Sequence, residues 1–219
     1  MVYAPRQFRE DRAEVLQAAM RTIQFATLVL SGADGPEAVH LPLIVKDSPG
    51  GLRLEGHVAV GNPFWKLAGR GGAALAVFQG PQAYVHPGWY ETKRQTGKVV
   101  PTWNYVVVHA RGSLTVERDP DWLLRHVTEL TALNETGRAE PWAVTDAPSD
   151  YVAALTRAIV GVSLAVSNLE GVWKLIQHHP DANRQGVIAG LSASARSGDR
   201  DVATLMQARE DGRGAEQPS

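Results

Sequence analysis

The stretch Val99–Gly112, VVPTWNYVVVHARG, decides how this chain is read. Pro101, Thr102, Trp103, Asn104 and Tyr105 stand directly before a β-branched run, Val106 to Val108. Apolar residues then alternate with His109 and Arg111 as far as Gly112. Alternation with a period of two marks a half-buried strand, and Tyr105 to Glu117 is the longest strand predicted. Aromatic and amide groups at the mouth of a strand can line a pocket for a flat ligand. They also suit a plain core, with Trp103 and Tyr105 packed and Asn104 in a turn. A second polar and aromatic cluster lies upstream in GHVAVGNPFWK, Gly56 to Lys66.

Outward from these clusters, the pattern predicts a helix over Arg9 to Thr22 and strands over Ala26 to Leu30 and Ala38 to Val45. Pro42 cannot donate to a ladder, so its strand belongs at an edge, a bulge or a contact site. A turn at Ser48-Pro49-Gly50-Gly51 joins it to a strand over Leu52 to Val60 as a hairpin. Asn62-Pro63 opens a short helix to Ala68, ended by Gly71-Gly72. Strands follow over Ala73 to Phe78 and Ala83 to Val85, then a loop over His86 to Val99. Beyond Arg118 the character turns helical, with helices over Asp121 to Leu133, Ser149 to Ile159, Asp181 to Ser194 and Asp199 to Glu210. One strand returns at Gly161 to Val166, and Glu170-Gly171 reads as a turn into another short one. Residues 1–194 are expected to form one domain, and 195–219 a short helix and a disordered tail. Short strands followed by helices favour an α+β barrel over a doubly wound parallel sheet.

The bulk numbers exclude more than they assign. With 219 residues, 44% hydrophobic and 21% charged, the chain can bury a real core. Its formal net charge of -1 provides no general attraction to phosphates or anionic membranes. There is no cysteine, so disulfides, thiolate nucleophiles and cysteine-ligated metals are excluded. MVYAPRQFREDR has no apolar core of a secretory signal, no apolar run reaches 18 residues, and a cytoplasmic location is expected. The chain has no G-x-G-x-x-G after a strand, no P-loop, no G-x-S-x-G elbow and no H-E-x-x-H, and His178-His179 are adjacent. No metal site is predicted.

His57 ends a predicted strand before a helix start that carries Asn62 and Lys66. Free N–H groups, a lysine and an amide suit a phosphate. Equally, Asn62 can be a cap and Lys66 a solvated surface residue. Trp173, Lys174 and Gln177 can reach a cofactor or surround one packed indole.

Several ordered motifs together resemble one family. Tyr3-Ala4-Pro5, HLP (His40 to Pro42), GH-x-A-x-x-NP-x-W (Gly56 to Trp65), VFQGPQAYVHPGWY (Val77 to Tyr90), VPTWNY-x-x-VH-x-x-G (Val100 to Gly112) and EG-x-x-KL-x-Q (Glu170 to Gln177) are similar to the PaiB family of FMN-binding negative transcriptional regulators. The resemblance implies an FMN-binding split β-barrel like that of pyridoxamine phosphate oxidases, with added, mainly C-terminal helices. It also implies a homodimer holding FMN at its interface. His40, Leu41 and Pro42 would lie along the flavin ring, and His57, Asn62 and Lys66 at the phosphate. Trp103, Asn104, Lys174 and Gln177 would close the site. Arginines usual in the family are replaced here by Val60-Gly61 and His178-His179, which weakens the phosphate end. DNA is a partner implied by the resemblance alone, since neither a helix-turn-helix nor a basic stripe is seen. Two alternatives follow from relatives of the fold: an FMN-dependent oxidoreductase, and a haem protein akin to piperazate synthases, with His57 as the iron ligand.

Overall fold

A computed structural model describes residues 2–69 and 72–215. A two-residue strand, β1 (Arg9–Glu10), precedes helix α1 (Ala13–Ile23). The helix starts later than its apolar spacing predicts. Glu10 holds the backbone N–H of Arg12 at 3.1 Å and its guanidinium at 2.7 and 2.8 Å, and both residues of β1 pair with another strand.

Strands β2 (Phe25–Gly32) and β3 (Gly35–Pro42) form a hairpin, as do β4 (Ile44–Ser48) and β5 (Gly51–Ala59). Pro42 therefore closes an edge strand, where its missing N–H costs nothing. Helix α2 (Phe64–Ala68) starts where Asn62 Oδ1 accepts the N–H of Phe64 at 3.0 Å. Of the two glycines predicted to end it, Gly71 lies outside the described residues and Gly72 opens β6 (Gly72–Val85).

The sequence splits β6 in two for a physical reason. Burial falls on Ala74, Ala76 and Phe78, then on Ala83 and Val85, so the inward face changes phase across Gly80-Pro81. The predicted loop after it contains a 3-10 turn at Pro87–Trp89 and helix α3 (Glu91–Thr96), closed by Gly97 at φ 69°. Strand β7 (Thr102–Glu117) buries every second residue from Asn104 to Leu114. It does not stop at Gly112. A Cβ there would lie 1.9 Å from the Ala165 carbonyl oxygen, so glycine allows the close approach of the neighbouring strand.

Helix α4 (Pro120–Glu135) is capped by Asp119, whose carboxylate accepts the Trp122 N–H at 3.0 Å. Helix α5 (Ser149–Thr156) is shorter than predicted because Ile159 already belongs to β8 (Ile159–Lys174). That strand passes through the Glu170-Gly171 turn the sequence suggests, since β1 pairs with Gly171 and Val172. Helices α6 (Asp181–Ser192) and α7 (Ser197–Ala215) complete the described residues. The predicted tail from Asp211 is helical as far as Ala215, and its last four residues lie outside the described ones. The fold is α+β, as expected, and no helix among the described residues is long and apolar enough to cross a membrane.

The chain forms two compact units. One combines Gln17–Phe78 with His109–Leu169. Its sheet runs in the order β3-β2-β6-β7-β8-β5-β4. The inner side of β2, β3 and β6 is fully packed, through Ala26, Leu28, Leu30, Val39, Leu41, Ala74, Ala76 and Phe78. The other unit combines Met1–Leu16, Gln79–Val108 and Glu170–Ser219. There α6 and α7 are pinned by Arg184, which is buried and donates to Glu210 at 2.7 and 2.8 Å, to the His179 carbonyl at 2.6 Å, and to Asp181.

Substituting Gly112→Ala forces β7 and β8 apart. It is expected to cost about 1–3 kcal/mol through overpacking. A urea midpoint equal to that of the unaltered protein would show that the strands have room for a methyl group.

Candidate functional site

Two features of the first unit bear on the candidate residues. The first is the outer side of β2, β3 and β6. The registers Thr27↔Val77, Val29↔Leu75, Phe25↔Pro42 and Thr27↔His40 put these residues on one face. None of them is buried, and Phe25 is 59% exposed. Period-two alternation thus leaves a largely apolar, half-buried sheet face opposite a well-packed one. His40 stands on this face at the sheet edge, its Nδ1 3.0 Å from Thr27 Oγ1. Pro42 shares the face, whereas the Leu41 side chain is buried in the core. Leu41 can therefore offer a ligand only its backbone.

The second feature surrounds His57 on β5. Opposite it in the ladder stands Gly161 of β8. A Cβ at Gly161 would lie 2.3 Å from the Trp122 ring, so glycine lets α4 settle on the sheet. Helical spacing then puts Trp122 and His126 on the same side of α4. Their rings stack at 5.1 Å and 17°. His126 is completely buried, and its Nε2 lies 3.0 Å from His57 Nδ1, with the rings edge to face at 75°. Around the pair, Arg125 bridges Glu55 at 3.1 Å and Glu129 at 3.2 Å, and Lys46 meets Glu129 at 2.7 Å. Two acids and two bases neutralise one another.

Burial determines the state of both imidazoles. Desolvation pushes His126 down to about 4, helped by the neighbouring His57 and Arg125, and burial lowers His57 as well. Both rings are neutral near pH 7, so one donates and the other accepts. His126 Nδ1 has no partner. A buried orphan N–H is rarer than an orphan acceptor. The favoured assignment places the His126 proton on Nε2, donating to His57 Nδ1. His57 then carries its own proton on Nε2.

His57 also lines a cavity of about 460 Å³ walled by Val127, Trp142, Val144, Tyr151 and Leu155. No Asp, Glu, Lys or Arg among the described residues lines it. The sequence did not single out His126, Trp142 or Tyr151. Only the position of His126 beside Leu123 on the inward side of α4 hinted at its burial.

Asn62 Oδ1 is engaged by the Phe64 N–H at the start of α2, and exposed Lys66 has its Nζ 5.8 Å from the Trp65 ring centroid. The sequence reading missed Arg118, whose guanidinium lies 5.1 Å from the same ring. Lys66 and Arg118 thus converge on one indole.

The second unit places the remaining four residues. Trp103 is half-exposed beside Tyr84, with its indole N–H on Gln82 Oε1 at 2.9 Å. Lys174 donates to Thr102 Oγ1 at 2.8 Å and lies 6.0 Å from the Tyr105 ring. Asn104 is buried, its amide 3.4 Å from Met206 Sδ and its Oδ1 without a partner. Gln177 is buried and closes a turn. It accepts the Leu175 N–H at 2.8 Å and donates to the Trp173 carbonyl at 2.6 Å, around Ile176 at φ 50°. Of these four, Trp103 is exposed, Lys174 is half-buried against Thr102, and Asn104 and Gln177 serve the interior. His178 and His179 lie after β8, their ring centroids 4.5 Å apart, with Tyr90 stacked on His179 at 5.0 Å.

Solved structures share this architecture. The FAD and haem binding protein of Mycobacterium smegmatis superposes with a TM-score of 0.57 at 20% identity, covering 83% of this chain and 80% of that one. The conserved hypothetical protein Rv2991 of Mycobacterium tuberculosis gives 0.58 at 14% identity, covering 82% and 94%. The fold is the split-barrel type expected from the sequence. Residues 2–168 match the family described as "Putative FMN-binding domain", and the chain belongs to that family. The PaiB resemblance is borne out by the Bacillus subtilis "Protease synthase and sporulation protein PAI 2", 28% identical over 94% of this chain and 97% of the relative. An uncharacterized protein of Emericella nidulans is 31% identical over 79% of this chain and 82% of its own length.

The histidine pair also predicts a pH dependence. Unfolded, His126 takes up its proton near 6.5; folded, only near 4. The unfolded state binds more protons between these values, so stability falls as pH drops from 6.5 to 4. The loss is on the order of 3 kcal/mol. In His126→Phe, denaturant midpoints over that range should be flatter than in the unaltered protein. Equal slopes would remove His126 as the source.

Proposed function

We propose that this protein is a homodimeric FMN-binding regulator of the PaiB type. The observation that carries the reading is the apolar outer face of β2, β3 and β6, where Phe25 is exposed and Val29, Leu75 and Val77 are half-buried beside His40. A planar ring system and a second subunit would together remove that surface from water. Along the edge, the backbone of His40, Leu41 and Pro42 would face the ring, with Lys66 and Arg118 the cations for the phosphate. His57 and Asn62 are engaged with His126 and with the Phe64 N–H. The family resemblance also assigns Trp103, Asn104, Lys174 and Gln177 to flavin; within their own unit Trp103 is the exposed one of the four.

Bound flavin would supply one- or two-electron chemistry. The chain's own part is to bind, orient and shield it. An FMN-dependent oxidoreductase remains the enzymatic form of this reading, tested by FMN reduction with NADH or NADPH. Action on transcription would pass through a partner, because a net charge of -1 offers little to DNA. Haem fits less well. The favoured tautomer leaves His57 Nε2 protonated rather than free to ligate iron, and the cavity has no cation for propionates.

Titration with FMN and with riboflavin, followed by flavin fluorescence, tests the assignment. Lys66→Ala with Arg118→Ala should weaken FMN about tenfold or more and leave riboflavin unchanged. Leu75→Asp should abolish binding of both and shift sedimentation from dimer to monomer. Undiminished FMN binding in both variants would end this placement.

A further inference from the structure

The cavity beside His57 has a composition of its own. Its walls are aliphatic and aromatic, and the acids and bases nearby are paired among themselves. Its size falls in the range of small-molecule sites, roughly 300–1,000 Å³. Trp142, Tyr151 and Leu155 line it while 48%, 57% and 52% exposed, an unusual solvent exposure for large apolar side chains. The hydroxyl of Thr156, another wall residue, is already committed to the carbonyls of Val152 and Ala153.

The wall also carries the Thr131 and Tyr151 hydroxyls and the Trp142 indole, but His57 is the polar group held in orientation by a buried partner. His57 is held through Nδ1 by His126, which is itself clamped under Trp122. The buried ring lacks any partner at Nδ1, so the pair has only one low-cost proton arrangement. That arrangement leaves the Nε2–H of His57 as the donor for a ligand. A charged ligand would find no counter-ion there, and burying an unpaired charge is expensive. An aromatic ring can pack against Trp142 and Tyr151, and a carbonyl oxygen can accept from His57.

We propose that this cavity is a binding site for an uncharged aromatic carbonyl compound of the quinone or aryl ketone class, oriented by a hydrogen bond from His57 Nε2–H. The site is independent of the flavin assignment, since it is built from β5, β8, α4, α5 and the turn at Val144–Asp146. His57 is a ligand-binding residue in this scheme, and His126 positions it.

Three probes of similar shape separate the terms: menadione, 2-methylnaphthalene and 2-naphthoate. Calorimetric titration of the full chain should find menadione bound about tenfold more tightly than 2-methylnaphthalene, and 2-naphthoate not bound. His57→Phe should bring the first two to equal affinity. Ala158→Trp, at an exposed wall position, should abolish both. Nitrogen-15 NMR of the unaltered protein adds a readout independent of any variant. His57 should carry its proton on Nε2, and that signal should shift with menadione. Binding of 2-naphthoate as strong as that of menadione, a proton on His57 Nδ1, binding unaffected by Ala158→Trp, or competition by FMN would each overturn the proposal. Competition would place the quinone on the flavin surface and leave the flavin reading intact.

Discussion

Period-two burial along the long strands is the constraint on which the rest depends. In β7, Asn104, Val106, Val108, Ala110, Gly112 and Leu114 all point inward, and no charged side chain interrupts them. A one-residue slip would turn this whole set outward. The register also requires glycine at 112, where the backbone of β8 comes too close for any Cβ. The same alternation in β2, β3 and β6 creates two unlike faces, one fully packed and one half-buried. The surface assigned to flavin is therefore a consequence of how the core is made.

The histidine pair follows a different logic. A buried polar group with an unpaired nitrogen costs about 1–3 kcal/mol. His126 bears that cost at Nδ1 while securing His57 at Nε2. In return, one imidazole at the cavity wall is fixed in orientation and kept neutral. A solvated histidine would exchange tautomers and titrate near neutral pH. The paired charges of Arg125, Glu55, Glu129 and Lys46 keep the surroundings nearly balanced, so burial dominates the protonation state.

Much of the fold was legible. Alternation located the strands, the change of character beyond Arg118 located α4, and the motif series pointed to the family that residues 2–168 match. Misreadings arose where a local signal was overruled at long range. Ala73 to Phe78 and Ala83 to Val85 read as separate strands, yet one strand runs through both with its buried phase changed between them. Glu170-Gly171 looked like a turn, yet β1 pairs with it. Of the candidate residues, His40, Pro42, Lys66, Trp103 and Lys174 are accessible, while Leu41, Asn104 and Gln177 have buried side chains. Residue type announced chemistry but not direction.

By itself the sequence determined the succession of strands and helices, the family, and the absence of thiol chemistry, because these rest on neighbours in the chain and on composition. Only the tertiary structure decided that His57 meets His126, 69 residues away, and that Lys66 and Arg118 share one indole. It also decided which side of β2, β3 and β6 stays half-buried. Such pairings depend on strand register and helix docking, which arise from packing energies summed over many residues and leave no mark in any short stretch of chain.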